Sequence, residues 1–555
     1  MNIMENLQFF GEDTRKRKFL RPEAVVKTAG EVRYPEKLLN IKPMQIGLCE
    51  PEVTELENKD GKKASVILDF GVEIHGGVRI LAAFHKGAKN PLVTITFGES
   101  LSEVESMVGE KGASNDHAAR QFTVPVPSLS DQEWGQTGFR YVKLELQDED
   151  TLLKLKTVAA VFVYHDYKYI GSFECDDAEI NKIYDTAAYT CHLCLQNLVW
   201  DGIKRDRLVW IGDMMIETMT VRDIFGRQDI VEKSLDFVRD QTPLPGWMNN
   251  MPAYSLWWIL ILYDWYFATG NYDYLTEQKD YLVRLSEQLC SHIEPDGNDT
   301  INNYFLDWPT EANPKKKWAV RGLLKMSLLR SAELLTVLGD TTMAEKCKTH
   351  AKLLEKIKGD AGDVKQIAAV MSLSDQMDSS AAADIIEKDG INGFSTFMGY
   401  HLPSALAKAG RFGSALKLMK EYYAELLNKK ATSFFEDYNA EWSDNSTDLT
   451  ELPEGDQRDI HGDFGAYCYK GFRHSFCHGW AAGPVPYLTE YVLGVTILEP
   501  GCKKLKIEPH LDGLKWVKGK FPTPYGVVSI EHTLLSDGKI DSKIEAPEEV
   551  QVVLG

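Results

Sequence analysis

The hydrophobic periodicity of this chain changes twice, and that restricts it to a β, then α, then β order of units. From about Ala64 to Ile170, short β-branched and aromatic runs (ASVILDFG, GGVRILAAF, LVTITFGE, FRYVKLEL, TVAAVFVY) alternate with Gly, Asn, Asp and Pro, which reads as an antiparallel β-sandwich. Residues before Ala64 are expected to add a strand or two. Beyond Phe173 the spacing becomes three and four residues, as in DDAEINKIYDTAAYTCHLCLQNL, with Asp176 or Asp177 able to cap the helix. Similar amphipathic segments recur at Ile230–Gln241, Ser255–Thr269, Tyr274–Ile293, Arg321–Leu338, Thr342–Lys358, Gly399–Lys408, Phe412–Asn428 and Val485–Leu493. After Gly494, KLKIEPHL, LKWVKGKF, YGVVSIEHTLL and VQVVL return to strand character. The expected division is 1–172 as a β-sandwich region, 173–494 as a helical domain and 495–555 as a small β-domain.

A chain of 555 residues exceeds one hydrophobic core, and 44% hydrophobic with 26% charged residues is ordinary globular usage. The formal net charge of −20 disfavours nucleic acid and anionic membrane surfaces, and suits a neutral small-molecule substrate. The longest apolar run, Leu256–Phe267, is about half the ~20 residues of a membrane span and contains Asp264. The amino terminus lacks the apolar stretch of a secretory signal, and the nine scattered cysteines suit reduced thiols, so a cytoplasmic location is expected. Nothing here sets the oligomeric state; a homodimer is allowed.

Two stretches concentrate chemistry. WDGIKRDRLVWIGD (Trp200–Asp213) brings Asp201, Asp206, Asp213, Lys204, Arg205 and Arg207 together with two tryptophans. Carboxylates and guanidinium groups suit sugar hydroxyls, and an indole face covers the apolar side of a pyranose. The alternative reading of the same residues is an Arg–Asp network that fastens a loop between helices. ATSFFEDYNAEW (Ala431–Trp442) supplies Glu436, Asp437 and Glu441, although a glutamate in an acidic chain is commonly a solvated surface group. Two separated acidic clusters are what glycoside hydrolysis requires, one group to protonate the leaving oxygen and one to activate water. Trp247 in GWMNNMP, Asp307 and Trp308 in FLDWP, and His478 with Trp480 in SFCHGW are further candidates for a sugar cleft. Trp257 and Trp258 lie inside an apolar helical run and read as core. Signatures of nucleotide, zinc-protease and serine-hydrolase chemistry are missing from the sequence, and the His474/His478 spacing lacks the glutamate of a zinc helix, so no cofactor and no metal are expected.

In this order of segments the chain resembles the bacterial α-L-rhamnosidases of glycoside hydrolase family 78, from about Leu68 to Leu534. LDFGVEIHGGVRI, ITFGESL and WGQTGFRYVKLEL look like the sandwich that precedes the family's barrel. WDGIKRDRLVWIGD is similar to the family's D-C-P-x-R-D-E-R-x-x-W-x-G-D loop, with Asp201, Arg207, Trp210, Gly212 and Asp213 matching. Here the loop is one residue shorter, RDR standing where the family has RDER, and alignment from the carboxyl side places Asp206 at the general acid. LAKAGRFGSALKLMKEYYAELLNKKATSFFEDYN resembles the segment carrying the family's general base, with Phe435 for the usual Trp and Glu436 at the carboxylate. SFCHGWAAGPVPYLTEYVLGV and FPTPYGVVSIEH look like the segment before the last barrel helix and part of the terminal β-domain.

The resemblance implies an (α/α)6 barrel between β-sandwich domains. Two rings of six require twelve helices; nine are clear, so three must lie in weaker segments such as SSAAADIIEK. It also implies an inverting enzyme on terminal α-L-rhamnose, with Asp206 as acid and Glu436 as base, their carboxyls roughly 6.5–9.5 Å apart. Asp201, Asp213 and Arg207 would orient sugar hydroxyls with His478 and Asp307 nearby, and Trp210, Trp247 and Trp308 would form aromatic walls. Two other readings stay open: action on a different deoxysugar or polysaccharide linkage, and carbohydrate binding without turnover.

Overall fold

The computed structural model describes residues 11–555. Among the described residues nine strands form the amino-terminal unit: β1 (Lys16–Leu20), β2 (Ala24–Ala29), β3 (Glu31–Arg33), β4 (Thr54–Asn58), β5 (Ser65–Lys86), β6 (Leu92–Gly98), β7 (Gln121–Pro125), β8 (Ser130–Leu146) and β9 (Thr151–Tyr164). They make one continuous antiparallel sheet in the order β3-β4-β9-β5-β8-β6-β7, with β1 on β9 and β2 on β5. The register of β5 against β8 shifts after Asp69 and after Gly76, and such bulges bend a long strand. Gly76 has φ +150°, and a Cβ there would lie 1.8 Å from the carbonyl oxygen of Val161, so only glycine allows this close approach. The sheet thereby encloses a core of Val66, Leu68, Ile74, Val78, Ile95, Phe97, Phe139 and Val158. Between β6 and β7 lie a short helix α1 (Leu101–Glu105) and an excursion of the chain that returns at Gln121.

The chain next makes β10 (Ser172–Cys175), which pairs with a strand of the carboxyl-terminal sheet before the barrel begins. Twelve helices follow among the described residues: α2 (Ala178–Cys194), α3 (Ile211–Phe225), α4 (Asp229–Asp240), α5 (Pro252–Thr269), α6 (Tyr272–Ser291), α7 (Lys316–Val337), α8 (Thr341–Leu353), α9 (Lys365–Leu373), α10 (Ser379–Glu387), α11 (His401–Lys408), α12 (Phe412–Asn428) and α13 (Pro484–Tyr487, continued as a π-turn to Val492). In sequence, α3, α5, α7, α9 and α11 pack side by side and α13 contacts α3, which forms the inner ring; the alternate helices lie outside it. Nine of the twelve coincide with the segments read from periodicity, and α10 lies in SSAAADIIEK. The other two, α3 and α9, are buried along all or nearly all their length. Burial all round leaves no polar face, hence no amphipathic stripe to read. Trp257 and Trp258 on α5 are buried, as their apolar setting suggested.

The terminal unit has two small sheets. β15 (Trp516–Thr523), β16 (Gly526–Leu534) and β17 (Ile540–Glu545) join β10; β13 (Val495–Glu499), β14 (Lys504–Ile507) and β18 (Gln551–Leu554) form the other. A hairpin of β11 (Gly465–Ala466) and β12 (Tyr469–Lys470) overhangs the barrel mouth, where its neighbour Cys468 lines the cleft described below. Among the described residues no helix is long and apolar enough to cross a membrane.

Candidate active site

The loop that enters α3 is closed by one aspartate. Asp201 N–H donates to Leu208 O at 3.0 Å, and Asp201 Oδ1 accepts from Leu208 N–H at 2.9 Å. The intervening chain folds into a tight excursion in which Asp206 and Arg207 have φ of +51° and +57°. That left-handed conformation is unfavourable for residues with a Cβ and persists where surrounding contacts hold it. The facing wall is built from two extended segments. Glu436 N–H donates to Ser475 O at 3.0 Å, His478 N–H to Phe434 O at 3.0 Å, and Ser433 Oγ to Phe476 O at 2.8 Å. The carbonyl of Glu436 accepts from Thr396 Oγ1 at 2.6 Å and Trp480 Nε1 at 2.7 Å, so the backbone carrying this carboxylate is held from two sides.

These segments place charge in a buried cleft. The Arg205 guanidinium bridges it, with Nη1 2.9 Å from Asp206 Oδ1 and Nη2 hydrogen-bonded to Glu436 Oε1. The His478 ring stands among three acids, Nε2 lying 3.7 Å from both Asp201 Oδ2 and Glu436 Oε1 and Nδ1 3.7 Å from Asp213 Oδ1. Tyr254 O–H points at Asp213 Oδ2 at a long 3.4 Å. Burial pushes the Asp201 and Asp213 carboxyls well above the usual range, and neighbouring carboxylates add to it. Burial also raises Glu436, against the opposing pull of Arg205. His478 is driven well below its ordinary value by burial, which favours a neutral imidazole; among the described residues its Nδ1 makes no hydrogen bond. Uncharged, incompletely paired donors and acceptors of this kind suit a polyhydroxyl ligand.

The cleft is lined by Asp201, Arg205, Asp206, Trp210, Asp213 and Glu436, with Met251, Tyr254, Phe305, Trp308, Cys468, His478 and Trp480 completing its walls. It contains about 60 Å³ of space open to water, and Arg205 spans it between Asp206 and Glu436. Larger cavities of about 310 Å³ near Arg222 and about 530 Å³ against the carboxyl-terminal sheet lie away from this convergence.

The structure therefore gathers Asp201, Asp206, Trp210, Asp213, Trp308, Glu436 and His478 from the sequence candidates. Three others lie elsewhere. Arg207 turns out of the cleft: its Nη1 donates to Gln136 O at 2.7 Å and its guanidinium lies 4.9 Å from the Trp200 ring, because the left-handed turn at 206 and 207 throws the side chain towards the amino-terminal sheet. The guanidinium in the cleft belongs to Arg205. Trp247 precedes a turn in which Asn249 has φ +49°, and its ring packs 5.4 Å from His292 at the end of α6. Asp307 sits a layer behind Trp308, accepting a hydrogen bond from Ser395 Oγ, with burial lifting it to about 6. Tyr254 carries no local signal, since α5 is apolar on every side and only the closed ring shows which residue faces the mouth; Met251 and Phe305 come from the loops before α5 and before α7. Arg205 adjoins Asp206 in sequence, and that adjacency was the available clue.

His474 and His478 serve different partners, for His474 Nε2 accepts the Asp437 N–H at 3.0 Å. Glu99, Glu103 and His461 converge closely enough for a metal, yet Lys204 Nζ already supplies the cation, 3.1 Å from Glu99 and 2.9 Å from Glu103.

Two rings of helices around an acidic, tryptophan-walled mouth make a six-hairpin barrel. Residues 168–360 match the family model described as the bacterial alpha-L-rhamnosidase 6 hairpin glycosidase domain, and residues 494–554 match the bacterial alpha-L-rhamnosidase C-terminal domain. Over these two stretches the chain is similar to the domains of bacterial α-L-rhamnosidases. It is 22% identical to an alpha-L-rhamnosidase of Alteromonas sp. (strain LOR), across 94% of this chain and 58% of that protein. Its fold is similar to that of the family 78 rhamnosidase of Bacillus sp. GL1, with a TM-score of 0.74 at 23% identity, covering 94% of this chain and 55% of the other. A rhamnosidase from Klebsiella oxytoca with rhamnose bound matches with a TM-score of 0.66 at 18% identity, covering 86% of this chain and 96% of that one. The chain thus spans little more than half the length of the first two relatives.

Proposed function

We propose that this protein hydrolyses terminal α-L-rhamnosides with inversion, Asp206 acting as general acid and Glu436 as general base. The observation that carries this reading is the meeting of Asp206 and Glu436 on one guanidinium, in a buried mouth that also holds Asp201, Asp213 and His478. Substrate entry requires Arg205 to give way between the carboxylates, leaving room for the sugar and for the water an inverting reaction needs. Glu436, raised by burial, suits proton abstraction from that water near neutrality. Asp201, Asp213 and neutral His478 would take the sugar hydroxyls, and Trp210, Trp308 and Trp480 would cover the ring faces. Release of aryl alcohol from an aryl α-L-rhamnoside tests the assignment. Asp206→Asn and Glu436→Gln are each expected to lower kcat by about 10²–10⁴-fold, and NMR should show β-L-rhamnose as the first product. A fully active Asp206→Asn would move the acid elsewhere.

The shortened loop favours one alternative, carbohydrate binding without turnover, because Asp206 offers a shorter arm than glutamate. Rhamnose binding by calorimetry with no product release across a panel of aryl glycosides would select it. The location we propose is the cytoplasm, supported by nine free thiols, seven of them buried. A homodimer stays open to light scattering.

A further inference from the structure

The loop carrying Asp206 is closed at its base by Asp201 and Leu208, and its tip is also held from outside. A contact from the amino-terminal domain reaches it: His117 Nδ1 accepts the Asp206 N–H and lies 3.0 Å from Asp206 Oδ1. His117 belongs to the excursion between α1 and β7, and it too has a left-handed backbone, φ +63°. Left-handed residues with side chains thus face each other across the domain boundary at His117, Asp206 and Arg207. Each costs on the order of 1–3 kcal/mol and survives only where its surroundings impose it.

Those surroundings are present. Asn115 Oδ1 accepts from Arg120 N–H at 3.0 Å and Gln121 N–H at 3.1 Å, pinning the base of the excursion. Asp116 Oδ2 pairs with Arg473 Nε at 2.9 Å, and Lys111 Nζ with Asp463 Oδ1 at 2.6 Å. Lys111 O also accepts the Phe472 N–H at 2.8 Å, so the excursion is fastened to the barrel side of the mouth beside His117. Within its own loop, Asp206 is tied by Arg205 alone, whose other nitrogen is committed to Glu436.

We propose that His117 is a positioning residue for Asp206: by accepting a hydrogen bond from its amide N–H it fixes the left-handed turn that aims the carboxyl of the shortened loop into the cleft. This rests on the reading of Asp206 as the acid. The mouth is then a two-domain device, with the amino-terminal domain supplying support to the tip of the acid loop. The step itself is unchanged: Asp206 gives its proton to the glycosidic oxygen as the bond to the anomeric carbon breaks, and Glu436 takes a proton from the attacking water.

The test compares His117→Ala with His117→Asn, whose Oδ1 can stand near the position of the imidazole Nδ1. In His117→Ala, kcat on an aryl α-L-rhamnoside should fall about tenfold or more, with KM within about twofold, since misplacement of a reacting group penalises the chemical step. Amide hydrogen exchange across Arg205–Leu208 should quicken in the same variant, and His117→Asn should restore both properties. A His117→Ala protein with wild-type kcat and wild-type exchange overturns the proposal, as does a His117→Asn protein no better than His117→Ala. The exchange comparison needs no substrate, so it decides the role of His117 even if the wild type hydrolyses no rhamnoside.

Discussion

Asp437, beside the base, shows how burial sets the protonation of this mouth. Burial lifts its carboxyl to about 8, with Asp307 the next contributor, and Glu99 rises to about 7 for the same first reason. Such a group keeps in the folded chain a proton that the unfolded chain releases near 4, so its contribution to stability is present at low pH and is lost as pH rises towards 8. Asp437→Asn removes that dependence; its melting temperature relative to wild type should increase steadily from pH 5 to pH 8, and a constant difference would show that Asp437 ionises normally. Residue types in the two stretches already pointed to Asp206 and Glu436 as candidates, and the structure brings them to one cleft. The choice between Arg205 and Arg207 did not follow from them, because two adjacent φ angles decide which guanidinium enters the cleft.

Elements with one wet face were the legible ones. α2 begins at Asp177, whose Oδ1 accepts from Glu179 N–H at 3.0 Å and Ile180 N–H at 3.2 Å while Oδ2 pairs with Lys420 on α12. Asp177→Ala should destabilise the fold by about 1 kcal/mol through the lost cap, read as a lower denaturant midpoint at unchanged slope. α3 hides from periodicity, yet its interior acid Glu217 explains a nearby glycine. A Cβ at Gly479 would fall 1.7 Å from Glu217 Oε1, and Gly479 N–H also donates to Asp201 O at 2.7 Å. Gly479→Ala is therefore expected to cost about 1–3 kcal/mol by overpacking, seen in the same denaturation experiment together with reduced kcat as Asp201 shifts. An unperturbed variant would mean that Glu217 moves aside freely.

Across the whole molecule, one buried lysine joins the units. Lys204 of the barrel loop contacts Glu99 and Glu103 of the amino-terminal domain and donates to His474 O at 2.8 Å. Lys204→Met would leave buried Glu99 without a cation and Glu103 with Arg120 at 3.5 Å, a loss of about 3–5 kcal/mol, and calorimetry should show the amino-terminal sheet melting ahead of the barrel. A single unshifted transition would count against that coupling. The amino-acid order by itself determined the succession of β, α and β units, nine of the twelve helices and the two acidic stretches, because periodicity and residue type are local properties. Tertiary structure alone decided which residues meet at the mouth: the wholly buried helices, the inward turn of Tyr254, and the approach of His117 from another domain. Those depend on how a closed ring and a docked sheet bring distant backbone together, and no local spacing encodes that.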